Sequence, residues 1–185
     1  NEAARAFLAI GVKRGDRVGM WSPNCAEWTI TQFATAKVGA ILVNVNPAYR
    51  LHELEYAMNQ SEAKFLVTAD TFKSSNYTQM LNELAPELKD AEEGELNSAK
   101  LPNLKGIINL AEEKHAGMWR WADFVEMAEK IDMSQLERIQ SELQFDDPIN
   151  IQYTSGTTGF PKGAALSHHN ILNNGFFVAE SMNFT

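Results

Sequence analysis

Short apolar runs rich in β-branched residues alternate with stretches of helical spacing along most of the chain, and this alternation limits the fold more than any other feature. Asp16 to Trp21 (DRVGMW), Ala40 to Val45 (AILVNV), Lys64 to Ala69 (KFLVTA), Gly106 to Leu110 and Ile149 to Tyr153 read as strands. A helix over Ala3 to Ile10 ends at Gly11, and Asn24 with Glu27 three residues on predicts the capped start of another that runs to Val38 and stops at Gly39. Leu51, Leu54 and Met58 mark one face of a further helix, Asn76 to Leu84 reads as the next, and Trp121, Phe124, Val125 and Ala128 recur at i, i+3, i+4 and i+7. A last helix is expected from about His168. Residues 86 to 103 gather Pro86, Gly94, Pro102 and several acids, which predicts a surface excursion. Parallel neighbours need helical crossovers, so the expected fold is α/β, a largely parallel sheet with flanking helices. Ligands of such sheets sit beyond the carboxyl ends of the strands, where the segment after Tyr153 falls.

Charge and cysteine content exclude several functions. The 185 residues carry a net charge of −8, and residues 112 to 147 hold ten acidic against four basic side chains. An acidic surface opposes binding to a phosphate backbone, so no nucleic-acid partner is expected. No uninterrupted apolar stretch approaches the ~20 residues of a membrane-spanning helix. A single cysteine, Cys25, excludes an internal disulfide and a zinc site built from paired cysteines, and its place at a helix start suits a small buried side chain. Asp146-Asp147, before a proline and a strand, reads as a solvated turn. Trp119, Trp121 and Phe124 read as core or interface aromatics. The chain begins without methionine and its first residues already read as a helix, so a piece of something longer is expected.

The densest chemistry lies in Tyr153 to Gly163, YTSGTTGFPKG. Gly156, Gly159 and Gly163 allow a backbone that approaches a bulky anion closely, so that successive N–H groups can point at phosphate oxygens. Thr154, Ser155, Thr157 and Thr158 add hydroxyl donors, and Lys162 adds a mobile point charge suited to a polyphosphate. Pro161 stiffens the segment and removes one donor. Composition alone leaves this loop level with a polar hairpin between two strands. A Walker A loop needs glycine before its lysine and Ser or Thr after it, whereas Pro161 and Gly163 flank Lys162, and the apolar run Ala164 to Leu166 continues as a strand rather than opening a helix.

The longer stretch YTSGTTGFPKGAALSHHN resembles the phosphate-loop signature of the adenylate-forming enzymes, the superfamily of acyl-CoA synthetases, peptide-synthetase adenylation domains and beetle luciferases. Upstream, GDRVGMWSPNCAEW, ATAKVGAILVNVNPAYR and LEYAMNQSEAKFLV resemble the amino-terminal region of these enzymes in the same order, and NPAYRLHELEY with DDPINIQYTSGTTG and LSHHNILNN is similar to mitochondrial medium-chain acyl-CoA synthetases. The resemblance implies that residues 1 to 185 are an incomplete amino-terminal portion of an adenylation domain, with the phosphate loop between two strands and the carboxyl-terminal subdomain absent. It implies a two-step ligase: a fatty acid, ATP with Mg2+, and coenzyme A give an acyl adenylate and pyrophosphate, then the thioester and AMP. By the same resemblance Thr154, Ser155, Gly156, Thr157, Thr158, Gly159, Phe160, Pro161 and Lys162 hold the nucleotide phosphates, and Thr158 helps to hold magnesium. Lys162 and His168 are the catalytic candidates, His168 as a histidine that follows the loop and faces the reaction centre. Phe160 is large where the family often has a small residue. An unrelated NTP hydrolase and a non-catalytic α/β interaction module are the alternatives, and a mitochondrial address follows from the resemblance only.

Overall fold

The computed structural model describes residues 1–154 and 161–183. Its elements are α1 (Glu2–Ala9), β1 (Arg17–Trp21), α2 (Ala26–Lys37), β2 (Ile41–Asn44), α3 (Leu51–Ser61), β3 (Phe65–Thr68), the two-residue strands β4 (Thr71–Phe72) and β5 (Ser75–Asn76), α4 (Tyr77–Leu84), β6 (Gly106–Asn109), β7 (Met118–Arg120), α5 (Trp121–Glu126), α6 (Met133–Glu142), β8 (Pro148–Thr154), β9 (Lys162–Ser167) and α7 (His168–Ser181). Seven strands form one sheet in the order β7-β6-β3-β1-β2-β8-β9. Every pair in it is parallel except the last, where β9 returns antiparallel to β8. The expected α/β architecture is therefore the one that forms.

Strand alternation divides the buried residues into two cores. Val18, Met20, Leu42, Val67 and Ile108 face α1, α2, α5 and α6, while Trp21, Val43, Leu66 and Ile107 face α3, α4 and the segment after it. The first core contains Phe7 edge-on to Phe124, with ring centroids 4.8 Å apart. In the second, Trp21 stacks on Tyr77 at 3.7 Å, and the Tyr77 hydroxyl donates to the Pro47 carbonyl at 2.5 Å. Trp119 and Phe124 are buried, as expected of core aromatics.

Three local expectations are corrected. The residue that begins α2 is Cys25, whose side chain makes no capping bond, and Asn24 lies one position outside and exposed. Cys25 itself is half-buried rather than buried. Residues 86–103 are no surface excursion, because Leu88, Leu96 and Leu101, with Leu104 just beyond, fill the second core, while most of the residues between them lie outside. Gly94 and Gly106 close on the Trp119 indole from two sides; a Cβ on Gly106 would lie 2.4 Å from the ring. Elements absent from the sequence expectation, β4, β5, β7 and α6, are short or mostly exposed, and α6 starts where Asp132 accepts a hydrogen bond from the Ser134 N–H at 2.8 Å.

Candidate nucleotide-phosphate site

The five parallel strands left of β8 and β8 itself end on one side of the sheet, and β8 delivers Thr154 there. The chain comes back at Pro161 into β9, with Thr154 opposite Lys162 and Tyr153 opposite Gly163. The Thr154 hydroxyl donates to the Lys162 carbonyl at 3.4 Å, which ties the two stem residues together. Gly163 sits tightly: a Cβ there would lie 3.0 Å from Ile151 Cγ2, which would have to give way, and at an ordinary 3.5 Å from the Tyr153 ring. Lys162 is exposed and makes no ion pair among the described residues, so its charge is available to an anion at the mouth of the hairpin.

Of the residues expected to hold the nucleotide, Thr154, Pro161 and Lys162 are brought together at this stem. Ser155, Gly156, Thr157, Thr158, Gly159 and Phe160 lie outside the described residues. The magnesium assignment to Thr158 lies there too. Among the described residues no group of three or more His, Cys, Asp or Glu side chains could hold a metal ion.

His168 is not brought to the stem. The antiparallel return of β9 carries the chain away from the mouth of the hairpin by roughly 20 Å, at about 3.4 Å per residue, before α7 begins. His168 thus sits at the opposite end of the hairpin, its backbone N–H donating to the Asp147 carbonyl at 3.3 Å, while the His169 N–H donates to Phe145 at 2.8 Å. Its ring lines a groove with Phe33, Ala36 and Ile171, and Nε2 is buried without a hydrogen-bond partner among the described residues. Two of the otherwise orphaned amides at the α7 N-terminus are satisfied in this way, and Ser167 caps a third by accepting from the Asn170 N–H at 3.3 Å. Position in the sequence could not reveal this, because nearness to the loop along the chain is undone by one strand reversal.

The foot of the hairpin is held by a pair that sequence reasoning missed. Arg14 grips Asp147 through Nη2, 2.8 and 2.7 Å from the two carboxylate oxygens, and Asp147 also accepts from the Gln144 N–H at 2.9 Å. The Gln144 amide first, and the Arg14 guanidinium second, hold the Asp147 carboxyl below its ordinary 3.8. A depressed carboxyl stabilises the fold above its unfolded pKa, and that contribution disappears as pH falls through the folded value. The stability difference between the native chain and Asp147→Asn is accordingly expected to be present at pH 7 and to vanish below the ordinary carboxylate range. With Arg14 half exposed it should stay under about 1 kcal/mol. Urea unfolding of both proteins across pH checks this, and a difference that persisted in strong acid would contradict it.

Residues 155–160, rich in glycine and hydroxyl side chains, lie between Thr154 at the carboxyl end of β8 and Lys162, which makes no ion pair among the described residues. The chain matches the AMP-binding enzyme family over residues 1–184 and belongs to it. It is 48% identical over 177 residues to the mitochondrial medium-chain acyl-CoA ligase ACSF2 of Danio rerio, covering 96% of this chain and 29% of that protein. The ACSF2 of Mus musculus is 44% identical over 183 residues, covering 98% and 30%. A long-chain-fatty-acid-CoA ligase from Archaeoglobus fulgidus shares the fold, with a TM-score of 0.71 at 23% identity over the whole of this chain and 31% of that one. The chain therefore spans about a third of the length of the relatives it matches.

Proposed function

We propose that this chain is the phosphate-holding, amino-terminal part of an AMP-forming acyl-CoA ligase. The observation that carries the reading is the exposed Lys162 beside Thr154 on a stem at the carboxyl ends of the strands, in a member of the AMP-binding family. In the first step a carboxylate oxygen attacks the α-phosphorus of ATP and the bond to the bridging oxygen breaks, which leaves an acyl adenylate and pyrophosphate. In the second, the thiol sulfur of coenzyme A attacks the acyl carbon, loses its proton, and AMP departs. Lys162 places a positive charge where negative charge gathers on departing pyrophosphate, and glycines at 156 and 159 suit a backbone that offers N–H donors to the same oxygens. Mg2+ bound with the polyphosphate would neutralise part of its charge, and Thr158 is the residue the resemblance offers to hold it. His168, at the far end of the hairpin, serves this reading by seating α7 against β8 rather than by touching phosphate.

Names of the relatives favour a medium-chain fatty acid as the carboxylate and the mitochondrion as the compartment. Helix α7 supports membership in a larger body, because Leu172, Phe176, Phe177, Val178 and Met182 expose apolar side chains around it. The test is ATP/pyrophosphate exchange by the complete parent protein with octanoate and with acetate. Exchange that requires octanoate supports the reading, whereas release of ADP and orthophosphate regardless of carboxylate moves the loop to a hydrolase.

A further inference from the structure

We propose that Tyr153 is a positioning residue for the phosphate site, acting through its hydroxyl on the stem that carries Thr154 and Lys162; the proposal rests on the adenylation reading above. β2 pairs with β8 only from Leu42↔Asn150 to Asn44↔Gln152. Tyr153 and Thr154 therefore overhang the last rung of the parallel sheet, with only β9 beside them, itself an edge strand whose residues 162–165 are exposed. Two residues of such a ribbon, unsupported by the sheet, would leave the lysine poorly placed.

The Tyr153 side chain supplies the missing support. Its ring packs half-buried against the second core, and its hydroxyl donates to the carbonyl of Ala57 in α3 at 3.1 Å. The acceptor is rigid. Leu54, Ala57, Met58 and Ser61 are buried, Ser61 Oγ donates to the same Ala57 carbonyl at 2.7 Å, and Arg17 of β1 donates through Nε to the Ser61 carbonyl at 2.7 Å. Burial pushes the Tyr153 phenol above its ordinary 10, so at neutral pH it remains a donor. Gly163, opposite, puts no side chain against the ring. The overhanging stem is thus referenced to α3 and through it to β1, the centre of the sheet.

In the complete parent protein, Tyr153→Phe keeps the ring and removes the tether. The expected result is a fall of about fivefold in kcat/KM for MgATP, the factor that corresponds to the ~1 kcal/mol of one neutral hydrogen bond. KM for the carboxylate and the melting temperature should stay near native. Asn59→Ala, which removes the α3 hydrogen bond to the Lys100 carbonyl at 2.9 Å and so loosens α3 without a bond to the hairpin, should leave kcat/KM for MgATP unchanged. An unchanged kcat/KM in Tyr153→Phe overturns the proposal, as does an equal fall in Asn59→Ala, or a loss spread over both substrates together with a lowered melting temperature. Should the native protein show no exchange, the adenylation reading fails separately, and the tether is judged by direct titration with MgATP. There an affinity equal in native and Tyr153→Phe proteins, or no binding by either, overturns it.

Discussion

Carboxylate-dependent ATP/pyrophosphate exchange is expected to fall by roughly two to three orders of magnitude when Lys162 is replaced by alanine in the parent protein, the loss typical of removing one donor that stabilises developing charge. The lysine stands at the first position of β9, joined to Thr154 across the stem, and is exposed without an ion-pair partner among the described residues. Its removal should cost the fold nothing measurable, because it packs against nothing buried. Lys162→Arg keeps the charge but exchanges a compact ammonium for a wide planar fork, so recovery is expected to be partial. The decisive comparison is kcat against KM. A lysine that works on departing pyrophosphate should lower kcat and kcat/KM together, whereas one that only gathers ATP would raise KM alone. Native exchange in Lys162→Ala would remove the residue from the site.

The largest effect on stability is expected at Phe124. Its ring is wholly buried, edge-on to Phe7 of α1 and 5.5 Å from Trp121, and it joins α5 to the helix on which the first core is built. Phe124→Ala removes the ring and leaves a cavity that neighbours on the sheet cannot close, at a cost of about 3–5 kcal/mol. Against a total stability of roughly 5–15 kcal/mol for a domain, such a change leaves little in reserve. Phe124→Leu, which fills more of the space, should cost less. Urea unfolding followed by tryptophan fluorescence reads both, and a Phe124→Ala midpoint equal to native would mean that α1 and α5 do not share this core.

What could be read from the sequence follows the range over which each feature is determined. The five runs became β1, β2, β3, β6 and β8: the first four, largely buried on both faces, show as consecutive apolar residues, while β8 alternates, with Gln152 and Thr154 exposed. Helix α6 escaped notice because only Leu136 of its residues is fully buried, with Met133 half-buried three residues before it, in the acid-rich stretch read as solvated surface. Leu88, Leu96, Leu101 and Leu104 escaped for the opposite reason: all four are buried, but Leu88 comes from a short 3-10 helix and the others from irregular backbone, so their spacing has no period. The run of glycines and hydroxyls around one lysine singled out the proposed phosphate loop, but left it level with a polar hairpin, and only the family resemblance favoured the phosphate reading. The supports of the loop were not legible, because Arg14 meets Asp147 across 133 residues and Tyr153 meets Ala57 across 96. His168 shows the converse: six residues from Lys162 along the chain, it is set apart from it by the full length of a strand.

The β2–β8 ladder has a consequence for assembly. Asn44 and Asn150, which bond side chain to side chain across these two strands, are 106 residues apart. The entropy of closing so long a loop must be met before the pairing returns any energy, and contacts of this range slow folding. Strands β1, β2, β3, β6 and β7 all emerge before β8 does, so during synthesis a five-stranded parallel core can form with no hairpin on its edge. The ribbon that presents Lys162 is the last part of the sheet to become available, and the proposed polyphosphate grip would arrive only with the closing of the longest loop among the described strands of the sheet.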